Sequence, residues 1–363
     1  MAFRQEKSKN FNIREHITVK IVIASTIVPF IEGGGTFIVD WLELKLREYG
    51  HTVDVVKIPF SSDYTRFLEQ CMALRLYHLE DCCDRLICIR MPSYLLQHPD
   101  KYLWFIHHYR EVYDLWGTGY QPVPNTPEGY ALREYIMRSD ELAFREAKKI
   151  YTNSKIISKR LMDFNKINAE VVYPPLLNPR QFYCKGYGDY IYYTSRICRP
   201  KRQMLAVEAM KFTKTGVRLI ISGRFEHKNL KNEILSIINR NNLHDKITID
   251  DRWISEQEKA DYFADCLCGL YIPFDEDSYG YTSLEAHHSQ KGIITCTDSG
   301  GTEELIVNGY NGLIVPPDPK ELAQQFDRLY TDKRLAEDLG KNGIERINAL
   351  KITWDNVVGR FTQ

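Results

Sequence analysis

The chain has 363 residues, which is too long for one ordinary α/β domain and predicts two domains of about 170 residues each. Its 48 basic and 48 acidic residues cancel, and 44% apolar with 26% charged residues is an ordinary globular composition, which excludes a disordered chain and gives no sign of nucleic-acid binding. The sequence has no apolar run of the roughly 18 residues that a membrane span needs, and its polar start resembles no signal peptide, so a cytoplasmic protein is expected. The nine cysteines suit reduced core thiols better than a metal site.

The first half of the chain alternates predicted strands with predicted helices. The strands are predicted at 19–25, 51–58, 85–90, 102–107, 149–154 and 169–175, and the longer helices at about 36–49, 63–80 and 128–147. This alternation is typical of a parallel sheet that is covered by helices on both faces.

The second half repeats the alternation after a break at 174–189, where Pro, Gly and Asn cluster. Its strands are predicted at 189–195, 217–223, 246–250, 266–273, 292–296 and 312–316, and its helices near 202–213 and 228–241, from about 255, near 282–290, after Gly301 and at the carboxyl terminus. Two Rossmann-like domains in tandem turn the carboxyl ends of their strands toward each other, and ligands bind there. The sequence therefore predicts a binding cleft between the domains.

The strongest local signal lies in the segment 274–323. A strand ends at Pro273, a glycine-containing loop follows, and a helix starts near Tyr281-Thr282, so that its unpaired N–H groups would face the cleft and suit a diphosphate. Within this segment Asp277 stands eight positions before Glu285. We expect the carboxylate of Glu285 to accept hydrogen bonds from the hydroxyl groups of a ribose, and that of Asp277 to accept hydrogen bonds from hydroxyl groups of the donor sugar.

With Tyr279-Gly280 after the first acid and Leu284-Glu285-Ala286 at the end, this segment resembles the carboxyl-terminal signature of retaining glycosyltransferases of family four, the group 1 type. That family more often has Glu where Asp277 stands. The resemblance implies the GT-B fold, an α/β architecture of two Rossmann-like domains across a cleft, here over 1–178 and 179–345, with a terminal helix in 346–363 that packs back on the first domain.

A second signal is the basic loop after the strand at 189–195, where Arg196 precedes Lys201 by five positions. It resembles the family's Gly-Arg-Leu and Lys-Gly element, with Ser195 and Arg202 in place of the two glycines. Arg and Lys at a strand's carboxyl end can neutralise a diphosphate leaving group, in the role that a metal ion takes elsewhere. Taken alone, such a loop is also typical of a solvated surface.

A third signal is the run of glycines at 33–35, of which Gly34 and Gly35 are expected to approach a phosphate or sugar closely. The spacing is not the GxGxxG of a dinucleotide fold, and Asp54 falls inside the second strand rather than at its end, so an NAD enzyme is not expected. The resemblance places this loop near the donor phosphates and the acceptor.

A fourth signal is the histidine pair that follows the strand at 102–107. By the resemblance, His107 takes the position of a family histidine close to the reacting centre, and the stretch 101–119 is most similar to a bacterial subgroup; alone, a strand-end histidine is more often structural. The resemblance also implies that the backbone around Arg252 and Trp253 contacts the base, although the family commonly has Gly at the position of Trp253.

The combined prediction is a metal-independent, retaining glycosyltransferase of the hexosyltransferase type, without a cofactor, that uses a UDP-sugar or, next, a GDP-sugar as donor. Asp275-Glu276-Asp277 is the Asp-x-Asp that holds a metal in another glycosyltransferase fold, but here it lies late in the second domain. The predicted catalytic residues are His107, Asp277, Arg196 and Lys201. The predicted donor-binding residues are Gly34, Gly35, Arg196, Lys201, Arg252, Trp253, Asp277, Tyr279, Gly280, Tyr281, Thr282 and Glu285.

The acceptor is expected to be a hydroxyl group of a glycan, a lipid-linked sugar or another glycoconjugate, in bacterial surface polysaccharide assembly; the oligomeric state is open. A helix with Arg66, Arg75 and Arg85 and with Met72, Leu74 and Leu76 could place the protein peripherally on a membrane, although an ordinary amphipathic helix also explains it. Two alternatives remain, a sugar-nucleotide epimerase on the same fold and a non-catalytic partner that binds the donor only.

Overall fold

The structure is a computed structural model that describes residues 18–28, 34–61, 63–119 and 121–363. Its first domain contains β1 Lys20–Ile27, α1 Gly34–Glu48, β2 Thr52–Pro59, α2 Phe67–Arg75, β3 Arg85–Cys88, β4 Lys101–Phe105, α3 Pro127–Glu146, β5 Lys149–Thr152, α4 Lys155–Asn165 and β6 Glu170–Val171. The six strands form one parallel sheet in the order β2-β1-β3-β4-β5-β6. Strand β1 is buried from its second to its seventh residue, as expected where helices cover both faces of a parallel sheet.

The second domain forms a second six-stranded parallel sheet in the order β12-β11-β10-β7-β8-β9. Its elements are β7 Tyr190–Thr194, α5 Gln203–Ala209, β8 Arg218–Ser222, α6 Lys228–Arg240, β9 Ile247–Asp250, α7 Glu256–Asp265, β10 Cys268–Leu270, α8 Tyr281–His288, β11 Ile293–Cys296, β12 Gly312–Val315, α9 Pro319–Thr331, α10 Lys333–Ala349 and α11 Trp354–Thr362. Two parallel sheets with helices on both faces confirm the predicted fold class.

The terminal helix α11 packs on the first domain. Trp354 and Phe361 of this helix belong to the buried cluster on one face of the first sheet, and the ring of Phe361 lies 5.3 Å from that of Trp104. The indole N–H of Trp354 donates to the carbonyl of Leu176, 2.8 Å away. Because α11 follows the last helix of the second domain, the chain crosses between the domains twice.

Three sequence-based expectations about local structure are wrong. The helix expected after Gly301 is only a 3-10 turn, Gly301–Glu304, because the chain there turns directly under the loop that precedes α8. The helix expected over 63–80 is a 3-10 turn followed by the nine residues of α2. Arg85 lies in strand β3 rather than in that helix.

Within the described residues, no helix is both long and apolar enough to cross a membrane. All nine cysteines are free, and most of them are buried among apolar side chains.

Candidate functional site

The candidate site lies where the carboxyl ends of the two sheets meet. Ser154, which follows β5, donates its hydroxyl to the carbonyl of Asp277 in the loop after β10. The carboxylate of Glu304 accepts hydrogen bonds from the backbone N–H groups of Lys155, at 2.7 Å, and Ile156, at 3.0 Å. A carboxylate of the second domain therefore caps the start of α4 in the first, which holds the two strand ends together.

The loop before α8 is held by side chains rather than by a regular element. Arg202 donates to both carboxylate oxygens of Asp298, each at 2.8 Å, and to the carbonyls of Ile272 and Pro273. Arg202 has a left-handed backbone with φ +55°, which is the conformation that glycine adopts most easily and explains why the resembling family has Gly here. The side chain of Arg202 thus connects the loop after β10 with that after β11, although its backbone has a conformation that is unfavourable for a non-glycine residue.

Gly280 directly precedes helix α8 and has φ +73°. A Cβ atom at this position would lie 2.2 Å from the ring of Tyr271, so no larger residue fits without displacing that ring. The glycine therefore lets the backbone pass close to Tyr271 where α8 begins, and a helix start is in general a site at which an anion can accept from unpaired N–H groups.

Lys201 lies beside that helix start. Its ammonium group donates to the hydroxyl of Tyr271, 2.8 Å away, and forms an ion pair with the carboxylate of Glu276. Arg196 is more exposed and pairs with Glu226 at 3.2 Å. Both predicted cations thus follow β7 at the same sheet end, and each is neutralised by a carboxylate that a diphosphate would have to replace.

Asp277 faces the first domain. Its carboxylate pairs with Arg160 of α4 and, at 3.4 Å, with Arg110 of the turn after β4. Arg110 in turn donates to Asp114 at 2.7 Å and to Asp275 at 3.3 Å. The first and last carboxylates of the Asp-x-Asp run therefore meet arginines of the opposite domain, and both contacts of Asp277 involve Oδ1, which leaves Oδ2 clear of these two arginines.

The two histidines after β4 have different surroundings. His108 is buried against Tyr113 and Phe105, donates its Nε2–H to the Oδ1 of Asn165 over 2.8 Å, and has a pKa lowered to about 4 by burial. His107 is only partly buried and hydrogen bonds to the backbone carbonyl of His108 at 2.7 Å. Burial lowers the pKa of His107, and the nearby Asp277 carboxylate opposes this effect. His107 is therefore the histidine at the junction, and His108 belongs to the core.

Glu285 is buried on α8 and accepts from the ammonium group of Lys259 at 2.6 Å. Burial raises the pKa of Glu285, and the ion pair with Lys259 opposes this effect. A buried carboxylate held by one lysine keeps acceptor capacity for further hydrogen bonds, as ribose hydroxyls would need.

The aromatic residues around α8 have mainly structural contacts. The side chain of Tyr279 is buried and donates its hydroxyl to the carbonyl of Pro174 at 2.6 Å, so the hydroxyl is engaged by the segment that joins the two domains. Tyr281 packs edge-on against Trp41 of α1, with ring centroids 4.9 Å apart, and Thr282 donates to the carbonyl of Thr194 at 2.9 Å. The contact of Tyr279 with a ligand stays a prediction.

Arg252 and Trp253 lie at the carboxyl end of β9, near the outer edge of the second sheet. Arg252 pairs with both oxygens of Asp250, at 2.9 and 2.7 Å, and Trp253 is 60% exposed with Arg224 above its ring. These side chains are separate from the contacts at Lys201 and Asp277 and leave an exposed aromatic surface at the sheet end.

Gly34 and Gly35 open helix α1, whereas Gly33 lies outside the described residues. A Cβ atom at Gly35 would lie 3.5 Å from the side chain of Arg90, which follows β3. The glycines therefore stand next to a cation at the carboxyl end of the first sheet.

Four side chains in or near the candidate site were not predicted from the sequence, namely Arg90, Arg160, Lys259 and Glu304. Arg90 follows a strand, Arg160 and Lys259 lie on helices, and none of these three has a motif around it; the position of each depends on contacts between residues that are apart in the chain. Only Glu304 carried a local signal, because it follows the Gly300-Gly301 pair in the strongest segment.

Two facing Rossmann-like domains with cations and a helix start at their junction define the class of GT-B proteins. Residues 185–346, a little less than half of the chain, match the family described as glycosyl transferases group 1. The second domain is therefore similar to group 1 glycosyltransferases, which confirms that part of the predicted resemblance.

Known proteins of several organisms are similar to the chain. An uncharacterized glycosyltransferase of Methanocaldococcus jannaschii is 26% identical over 58% of this chain and 57% of its own length. CapM of Staphylococcus aureus, a capsular polysaccharide biosynthesis glycosyltransferase, is 30% identical over 25% of this chain and 24% of its own length. The chain thus spans little more than half of the first relative and about a quarter of the second. These names agree with the predicted enzyme class, a glycosyltransferase.

Solved structures show the same fold over nearly the whole chain. The sucrose-phosphate synthase of Thermosynechococcus elongatus is 18% identical, covers 93% of this chain with 96% of its own, and has a TM-score of 0.72. HepE of Anabaena, solved with UDP and glucose, is 14% identical, covers 94% of this chain with 98% of its own, and has a TM-score of 0.64. At these identities the likeness supports the GT-B fold alone.

Proposed function

We propose that this chain transfers a sugar from a nucleoside-diphosphate sugar to a hydroxyl group of a glycan or glycoconjugate. The observation that carries the proposal is the position of Lys201, which donates to Tyr271 beside the glycine that opens α8. A lysine and a helix start that follow neighbouring strands at the same end of the sheet form a site for a diphosphate. UDP is the favoured nucleotide of the donor because HepE, which shares the fold, was solved with UDP, and GDP is the next candidate.

In this proposal the second domain binds the donor and the first domain holds the acceptor. Lys201 and Arg196 stabilise the departing diphosphate, as preorganised cations stabilise developing charge elsewhere. Glu285 accepts hydrogen bonds from the ribose hydroxyls, and Asp277, held by Arg160 at Oδ1, accepts from hydroxyl groups of the donor sugar at Oδ2. His107 stands beside Asp277 at the junction and contacts the sugar that is transferred.

The proposed reaction retains the configuration of the anomeric carbon and requires no metal ion. The Asp275 and Asp277 carboxylates, which would be the metal ligands of an Asp-x-Asp site, are engaged with Arg110 and Arg160. The acceptor proposed is a bacterial surface polysaccharide or its precursor, on the similarity of part of the chain to CapM. An NMR spectrum of the product that shows an inverted anomeric centre would contradict the retaining mechanism.

The first test is the thermal stability of the protein with UDP, GDP, dTDP, ADP or NAD, each with and without EDTA. A bound ligand raises the melting temperature by mass action, so one nucleoside diphosphate should stabilise the protein in the presence of EDTA as well as without it. Lys201→Met should weaken that binding by about 10- to 100-fold, since a charged hydrogen bond to phosphate is lost.

The control variant is Arg199→Met. Arg199 lies in the same 3-10 turn as Lys201, but it is 67% exposed and pairs with Glu233 on the solvent side. Its removal changes the net charge equally and should leave nucleotide affinity unchanged. Stabilisation by NAD alone, or by none of the compounds, would overturn the proposed donor site.

Consumption of the donor separates transfer from the two alternatives. A glycosyltransferase releases UDP faster when acceptor is present, an epimerase converts the donor without any acceptor, and a non-catalytic partner binds the nucleotide but consumes none. Only the first outcome supports the proposal.

The proposal includes contact with a membrane surface through α2. Leu68, Met72, Leu76 and Tyr77 are exposed along and just after this helix, with Leu76 77% exposed. Leu74 instead is buried, and Arg75 is bound to both oxygens of Glu146 at 2.8 Å, so the apolar edge rather than the arginine carries the contact. Sedimentation with anionic vesicles should fall in Met72→Ser with Leu76→Ser, and equal sedimentation would exclude this contact.

A further inference from the structure

Arg90 is a cation at the domain junction that the proposed donor site does not use. It follows strand β3 by two residues, at the carboxyl end of the first sheet. Its backbone carbonyl accepts from the amide of Ser93 at 2.9 Å, and the next carbonyl, that of Met91, accepts from the Thr26 hydroxyl at 2.6 Å. The arginine is therefore held on a fixed segment, and its side chain lies 3.5 Å from the position that a Cβ atom at Gly35 would take.

The guanidinium group of Arg90 has no protein partner among the residues that the structure describes. Burial lowers the pKa of Arg90, and no neighbouring carboxylate opposes that effect. Arg110, Arg160 and Lys201 at the same junction each pair with at least one carboxylate. A partly buried arginine loses hydration, and without a counter-charge no ion pair offsets that loss. The position of Arg90 therefore points to a ligand.

The surroundings of Arg90 indicate the kind of ligand. His107 is close enough that the positive charge of Arg90 contributes to lowering the pKa of this histidine. Helix α1 starts at Gly34-Gly35, directly beside the guanidinium group. A planar guanidinium fork matches the oxygen atoms of a phosphoryl or carboxylate group, and the helix start favours the same charge.

We propose that Arg90 binds an anionic group, phosphoryl or carboxylate, of the acceptor that the first domain holds beside His107. The donor diphosphate already has Lys201, Arg196 and the start of α8 on the second domain. Arg90 instead follows a strand of the first sheet, in the domain that holds the acceptor in the proposed function. The inference rests on the proposed function, and it restricts the acceptor to a charged one, such as a phosphorylated glycan or a uronic acid.

The test is a binding measurement in the presence of saturating UDP, with inorganic phosphate, glucuronate or glucose as the second ligand. Phosphate or glucuronate should stabilise the wild-type protein against heat, and glucose should do so more weakly. Arg90→Gln should weaken binding of the anion by about 10- to 100-fold, because a charge-assisted hydrogen bond pair is lost. The affinity for UDP should stay within about twofold of the wild type, because the donor cations are untouched.

Arg145→Gln is the matched control. Arg145 lies on α3, is 77% exposed and forms only a pair of 3.7 Å with Glu141. This variant removes one positive charge without reaching the junction, so its anion binding should equal that of the wild type. Arg90→Gln leaves no carboxylate unpaired among the described residues, and its melting temperature without ligand should therefore stay close to the wild-type value.

Three results would overturn the inference. Anion binding that is equal in Arg90→Gln and the wild type removes the role of Arg90, as does a wild-type protein that binds neither phosphate nor glucuronate. An equal loss of UDP affinity and anion affinity in Arg90→Gln assigns the residue to the donor instead. If the wild type binds no nucleoside diphosphate, the proposed function fails by itself, and the titration with phosphate alone still decides whether Arg90 binds anions. Preference for phosphate or for glucuronate then identifies the phosphoryl or the carboxylate source.

Discussion

The guanidinium group of Arg160, on helix α4 of the first domain, forms an ion pair with the carboxylate of Asp277, in the loop after β10 of the second. The two residues are separated by 117 positions in the chain. Arg160 also approaches Asp114 at 3.5 Å, so it connects the turn after β4 with the acidic loop. This contact orients the carboxylate that the proposed function assigns to the donor sugar.

Arg160→Met should lower kcat/KM for sugar transfer by about 10- to 100-fold, since Asp277 loses its strongest partner and its fixed orientation. The affinity for UDP should change little, because Arg160 contacts no part of the proposed phosphate site. Lys159→Met, at the exposed neighbouring position on the same helix, is the control and should keep wild-type kinetics. Equal kinetics in the two variants would remove Arg160 from the reaction.

Gly280→Ala should destabilise the protein more than Gly309→Ala. Both glycines have φ +73°, so both variants carry the backbone cost of an L residue in that region, about 1 kcal/mol. A Cβ at Gly309 meets nothing within 4 Å, whereas one at Gly280 collides with the ring of Tyr271. We expect a further loss of about 1–3 kcal/mol for Gly280→Ala in urea unfolding.

The same pair of variants also separates stability from binding. Tyr271 accepts from Lys201, so displacement of its ring should weaken UDP binding in Gly280→Ala and leave it unchanged in Gly309→Ala. Equal free energies of unfolding for the two variants would show that the loop before α8 accommodates the added Cβ atom without a loss of stability.

The Glu304 carboxylate stabilises the domain junction by capping α4. Glu304→Gln keeps one acceptor but removes the charge at the helix start, and the free energy of unfolding should fall by about 1–2 kcal/mol. Glu303→Gln, at the exposed adjacent position, should have no comparable effect. Chemical denaturation of both variants at neutral pH measures the difference, and identical midpoints would contradict a capping role.

Asp140 should make the stability of the first domain depend on pH. It is buried between the hydroxyls of Tyr94, at 3.0 Å, and Tyr113, at 2.8 Å, and burial raises its pKa to about 7. Between the ordinary pKa of an aspartate and this value, the folded protein binds more protons than the unfolded chain. The contribution of Asp140 to the free energy of unfolding therefore falls as pH rises from about 4 to about 7, and it stays constant above that.

Asp140→Asn should remove this dependence. Relative to the wild type, the variant should gain stability with rising pH, by up to about 1.4 kcal/mol per pH unit within that range. Urea unfolding of both proteins at several pH values measures the gain. Parallel stability curves for the two proteins would show that Asp140 titrates normally.

The sequence alone was sufficient for the architecture and for the second domain's main motif. Alternating apolar runs and amphipathic helices are local patterns, and they predicted two parallel sheets with a break between them, which the structure and the comparisons confirm. The segment from Asp277 to Glu285 was informative because its turn, glycine and helix start are neighbours in the chain. The match to the group 1 glycosyl transferases spans residues 185–346 and so includes this segment.

Only the tertiary structure decided which side chains share the junction. Arg90 follows a strand, Arg160 lies on a helix and Glu304 in a 3-10 turn, and the position of each at the junction depends on how the two sheets pack, which no local pattern encodes. The same holds for Tyr279, whose place in the motif suggested a ligand contact, although its hydroxyl is buried against the carbonyl of Pro174. Short-range spacing determines the backbone conformation of a loop, but the partner of each charge that pairs across the domain junction depends on the approach of segments more than a hundred residues apart.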